Sequence, residues 1–255
     1  MSKLIKHILT DLVRNRVMIA YLIFLLVSSL TIFNMQDTAA KGIVSMLNII
    51  LWIIPMISMV FSAIYLYNSS EFIELLLSQP LQRRTIWSSL FVGLAISFTV
   101  CFIIGYGIPM LLYANVIAGW ITMLAGIFLS LIFVAIAMLI VVQTRDKARG
   151  IGKVILLWLY FSIIFNGLIL MFIFQFADYP IEKPMVILSF FNPIDLARIM
   201  ALLQLDISAL MGFTGSLFRE FFGSISGQIL SIIVMIIWIL IPYFLSLYKF
   251  NRKDL

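Results

Sequence analysis

The chain has 255 residues, 64% hydrophobic and 11% charged, and its mean hydropathy is +1.17. Soluble domains are about half apolar and about a quarter charged, so these polar side chains are too few to cover a water-facing surface. Disordered, collagen-like and disulfide-stapled classes are excluded too, the single Cys101 having no intrachain partner, and the net charge of +6 must be judged by where the cations fall.

Residues 1–16 come first. Leu4, Ile5, Ile8, Leu9, Leu12 and Val13 recur at helical spacing, with Lys3, Lys6, Thr10 and Arg14 opposite them. The pattern predicts a surface helix, apolar face in the headgroup layer and cations toward anionic lipid. Six apolar runs follow, at 17–34, 43–67, 86–112, 119–142, 154–176 and 229–248. Each approaches or exceeds the roughly 20 residues that a helix needs to cross a bilayer. Lipid satisfies no backbone polar group, so the runs are expected to be helices, and barrel-type alternation is absent. The first run is not read as a cleaved signal, since four cations precede it and it has no small-x-small site.

Cation placement orients the chain. Lys3, Lys6, Arg14 and Arg16 precede the first run, Arg83 and Arg84 lie between the second and third, and Arg145, Lys147, Arg149 and Lys153 between the fourth and fifth. Lys249, Arg252 and Lys253 close the tail. The other side holds Lys41, Lys183, Arg198 and Arg219 in many more residues. Both termini are therefore expected in the cytoplasm, and the positive charge is a topology signal rather than a nucleic-acid patch. The expected class is an all-α integral membrane protein with six transmembrane helices. Its organisation is a cytoplasmic helix over 1–16, five spans over 17–176 broken by a cytoplasmic loop at 68–85, an extracytoplasmic helical block over 177–228, a sixth span over 229–248, and a cytoplasmic tail over 249–255.

The interior carries little chemistry. No Asp, Glu, Lys, Arg or His lies within an assigned span, whereas ion-coupled carriers usually place such groups at membrane depth. Gly105-Tyr106-Gly107-Ile108-Pro109 reads as a kink. One His and one Cys give no hydrolytic dyad and no thiolate–imidazole metal site, so no catalytic and no metal residue is assigned. Gly150-Ile151-Gly152-Lys153 lacks the spacer and hydroxyl of a phosphate loop and is expected to end the fourth-to-fifth loop. Fourteen Met, including Met56 and Met59 on an expected common helix face, are read as packing rather than a copper path.

After the second run the chain reads Asn68-Ser69-Ser70-Glu71-Phe72-Ile73-Glu74-Leu75-Leu76-Leu77-Ser78-Gln79-Pro80. Asn68 with Glu71 resembles a capping box, and Pro80 is expected to end a short helix. Phe72, Ile73, Leu75, Leu76 and Leu77 then form an apolar patch rimmed by charge, the mark of a docking surface. Arg83 and Arg84 anchor the next span. The stretch 71–84 resembles the coupling loop of ABC-2 type permeases, with folds of the type V exporter kind. Tyr248-Lys249-Phe250-Asn251-Arg252-Lys253-Asp254-Leu255 is similar to an ending frequent in that family.

The block 177–228 is too long for a passive connection. Asn192 reads as an N-cap, Pro193 as the first helical residue and Asp195 as favourable at a helix start. Further pieces are expected from Asp206 onward and over 216–222. Asn192-Pro193-Ile194-Asp195-Leu196-Ala197-Arg198 is similar to an element in permeases of the nitrous oxide reductase maturation branch. The resemblance implies a homodimer in the bacterial inner membrane that engages two copies of a cytoplasmic ABC ATPase. ATP and magnesium would belong to that partner and no cofactor to this chain. Glu71, Phe72, Glu74, Leu75, Pro80, Arg83 and Arg84 would couple to the ATPase. Asn192, Pro193, Asp195 and Arg198 would shape the outer block toward a periplasmic copper-handling protein. Two alternatives stand beside it: a general exporter of lipid, peptide or drug, and a non-transporting membrane scaffold.

Overall fold

Asn15 divides the first two helices. Its backbone is extended (φ −71°, ψ 128°) and its side-chain oxygen accepts from the Val17 amide at 2.9 Å, so α1 (Ser2–Arg14) stops and α2 (Arg16–Met35) starts at once. The computed structural model describes residues 2–176, 182–205 and 225–252. Thr38 caps α3 (Ala39–Asn68), and the short α4 (Ser70–Leu77) follows. Helix α5 (Arg83–Phe102) runs through a π-turn at Ile103–Gly107 into α6 (Ile108–Tyr113). Next comes α7 (Ile117–Gln143), then α8 (Lys147–Leu159), which passes through a second π-turn at Tyr160–Ile164 into α9 (Phe165–Gln175). Helices α10 (Glu182–Ser189), α11 (Pro193–Leu202) and α12 (Ile225–Arg252) complete the described chain.

Six of these units are long and apolar enough to cross a membrane: Arg16–Met35, Ala39–Asn68, Arg83–Tyr113, Ile117–Gln143, Lys147–Gln175 and Gly227–Arg252. Five lie within a few residues of the expected runs. The fifth starts seven residues early, and the stretch 150–153, expected to end a loop, is helical. Asp146 explains this, because its carboxylate accepts from the Arg149 amide at 2.7 Å and caps a helix the apolar run does not announce. Gly150 leaves room for Tyr67, whose hydroxyl donates to the Thr144 carbonyl at 2.9 Å.

The core lies along α7, on which α3, α5, α11 and α12 pack. Its most apolar window is 67% buried, against 28% for α2 and 22% for both α8–α9 and α12, which therefore turn most of their apolar surface outward. The kink at 105–109 takes the form of the first π-turn: Pro109 has no amide hydrogen for the helical ladder, and Gly105 lets α2 approach at Leu25. Met56 and Met59 do not share a face in packing terms, since Met59 is buried while Met56 is exposed.

Helix α1 is docked on α5. Part of its stripe meets protein, because Ile8 and Leu12 are buried and Ile8 fills the space left by Gly93 of α5, while Val13 stays 65% exposed. The pieces expected from Asp206 and over 216–222, and the ending Lys253-Asp254-Leu255, lie outside the described residues.

Candidate functional site

One end of the bundle is tied by three links between helices. At this α4 end, the His7 and Phe72 rings lie 5.8 Å apart, joining α1 to α4. The Lys147 ammonium donates to the Asn68 side chain at 2.7 Å, joining α8 to α3. Trp87 stacks on Phe250 at 4.3 Å and its indole N–H donates to Ser246 Oγ at 3.0 Å, joining α5 to α12. The cation-bearing segments after α3, after α7 and at the end of α12 thus share the end that carries α1.

Helix α4 has two faces. Ile73 and Leu76 are buried against the bundle, and Phe72 and Leu77 are half-buried. Glu71, Glu74, Leu75 and Ser78 recur at helical spacing on the outer face, where Leu75 is 65% exposed. The expected apolar patch is therefore reduced to Leu75 among carboxylates, since a helix attached at both ends turns Ile73 and Leu76 inward. The capping box also fails: α3 continues through Asn68, whose side chain is engaged by Lys147, and Ser69 precedes α4 without making a side-chain cap bond. Pro80 is exposed beyond α4, Arg83 is the first residue of α5, and Arg84 is exposed.

Behind α4 a cavity of about 400 Å³ opens between α3, α5, α7 and α12. Leu66, Trp87, Val142 and Phe250 give it apolar walls, while Tyr67, Glu74, Thr144 and Arg145 bring polar groups to it. Sequence reasoning reached Glu74 here but missed Tyr67, Trp87 and Phe250 as lining residues. Their only signal is an aromatic beside a basic or polar run at the end of a span.

The second cluster lies deep in the bundle. Among the described residues of the block, the turn between α10 and α11 enters between the spans. The Trp238 indole donates to the Phe190 carbonyl at 3.0 Å, and the Asn192 amide donates to the Phe161 carbonyl at 2.9 Å. Phe161 is the midpoint of the 29-residue unit Lys147–Gln175 and packs on Phe133 and Trp238 at 6.0 and 5.6 Å between centroids. The Asn192–Asp195 motif therefore stands level with the middle of the spans, and not on an outer surface.

Asn192 fulfils its expected cap, accepting from the Ile194 amide at 3.0 Å, with Pro193 as the first helical residue. It also donates to Asp195 at 2.8 Å, and Arg198 pairs with Asp195 at 3.3 Å. Asn192 and Asp195 are 0% and 6% exposed, so neither is free to meet a partner protein. Among the described residues no group of three or more His, Cys, Asp or Glu comes together to hold a metal ion.

A family model described as "ABC-2 family transporter protein" matches residues 9–255. No curated protein matches the sequence. The match spans both clusters and all six membrane-crossing units: the chain belongs to the ABC-2 transporter family, as a multi-pass membrane permease.

Proposed function

We propose that this chain is the permease subunit of an ATP-driven complex, paired with a second copy and driven by two copies of a separate cytoplasmic ATPase. The observation that carries the reading is the two-faced α4: an inner face seated in the bundle through Ile73 and Leu76, and an outer face of Glu71, Glu74 and Leu75 open to a partner. A push on such a helix passes directly to α3 and α5, between which it is tied. The positive-inside bias supports placing the α4 end, and with it both termini, in the cytoplasm of a bacterial cell. ATP and magnesium belong to the ATPase, and this chain catalyses nothing itself.

The finer reading is a role in copper-site maturation of nitrous oxide reductase, with a periplasmic copper-handling protein as outer partner. It is supported by the Asn192-to-Arg198 element. A second reading, an exporter of lipid, peptide or drug, is favoured by the burial of Asn192 and Asp195, which fits them for work inside the bundle. The test is the ATP hydrolysis rate of the reconstituted complex. Leu75→Asp and Glu71→Lys should each lower the coupled rate about tenfold, as for loss of an interface anchor, while thermal unfolding of the permease stays unchanged. Unaltered rates in both variants would remove α4 as the coupling element. Stimulation by a lipid, peptide or drug panel would select the exporter reading.

A further inference from the structure

A groove of about 290 Å³ runs along the outside of the bundle between the α1–α2 corner and α3. Its walls change character along its length. Val17, Met56, Ile57, Val60 and Ile64 line the part within the span, whereas Asn15, Tyr65 and Asn68 line the α4 end. From Asn68 to Met56 the helix covers about 18 Å at ~1.5 Å per residue, slightly more than the roughly 15 Å of hydrocarbon in one leaflet. Val17 and Met56 are 50% and 40% exposed, so the apolar stretch opens to lipid.

Charge decides what this groove suits. The Lys147 ammonium is held 2.7 Å from the side-chain oxygen of Asn68, at the polar end. Arg14 and Arg16 flank Asn15 and are both exposed. Asp11 lies beside Tyr65 at this end, and Asp146 adjoins Lys147 with its carboxylate accepting from the Arg149 amide. Basic pockets at the end of an apolar inter-helix lane are suited to anionic headgroups.

We infer that this groove is a binding site for one anionic phospholipid, its acyl chain lying along Val17, Met56, Val60 and Ile64. Its phosphate meets Lys147, Arg16 and Arg14 around Asn15 and Asn68. The site goes beyond the ATPase reading and does not rest on it. Because α1 also touches Phe72 through His7, an occupied groove steadies the corner from which α1 reaches α4.

The test uses the purified full chain, delipidated in detergent and titrated with phosphatidylglycerol or phosphatidylcholine, with bound lipid counted by native mass spectrometry. Phosphatidylglycerol should bind at one tight site per protomer, at least about fivefold tighter than phosphatidylcholine. Lys147→Gln and Arg16→Gln should each weaken phosphatidylglycerol about fivefold and leave phosphatidylcholine unchanged. Val60→Trp, which fills the groove from the lipid side, should abolish the tight site, while Lys249→Gln at the far helix α12 should not alter it. Equal binding of the two lipids, or wild-type phosphatidylglycerol affinity in both cation variants, would overturn the inference. So would efficient disulfide formation between two copies carrying Met56→Cys on a Cys101→Ser background, because a second copy would then cover the groove.

Discussion

Asn192 joins segments 31 positions apart through one side chain, donating to the Phe161 carbonyl while capping α11. The carbonyl it meets belongs to a π-turn, where the helical ladder is displaced and backbone groups lose their usual partners. Asn192→Ala removes a cap and leaves that carbonyl without its side-chain donor. It should cost about 2 kcal/mol, read as a lower thermal unfolding midpoint in detergent.

The coupling proposed for α4 is separable from folding, because the helix's two faces answer to different environments. Ile73→Asp places a charge where the wild-type side chain is 6% exposed and should destabilise the bundle by about 3 kcal/mol. Leu75→Asp changes a position 65% exposed and should leave the unfolding midpoint unchanged. Gly93→Leu, which drives a side chain into Ile8, should cost about 1–3 kcal/mol and loosen α1 from α5, measurable as faster hydrogen exchange over α1. The six spans were legible in the sequence because twenty apolar residues in a row leave few alternatives to a membrane helix. The stripe on α1 was legible as well, but its partner was not, since Gly93 announces nothing about which side chain will fill it. The α10–α11 turn was hidden for a related reason. Asn192 and Asp195 read as polar and outward, and it is their bonds to each other, to the distant Phe161 carbonyl and to Arg198 that make their burial tolerable.

At the scale of the whole molecule, the two clusters lie at different depths of one bundle. The α4 end holds the cavity and the carboxylate-rimmed Leu75, and the α10–α11 turn sits between the middles of the fifth and sixth spans. Both clusters border α7: Val141, Val142 and Thr144 at its end line the cavity, and Phe133 along its length packs on Phe161. Helix α7 is also the most deeply buried span. A shift at α4 therefore has a packed route to the re-entrant turn through a helix with little freedom to absorb it. The residues lining the cavity were only partly legible, because it is assembled from the ends of four helices, and no single segment carries its outline. The proposed coupling requires a separate ATPase that engages α4. Its most direct test is affinity purification of the tagged chain from native membranes in gentle detergent, beside the Leu75→Asp variant, with mass spectrometry of the recovered proteins. The account predicts a P-loop ATPase recovered in equal proportion with the parent chain and lost with the variant. Recovery of the permease without any ATPase, or equal recovery from both, would contradict it.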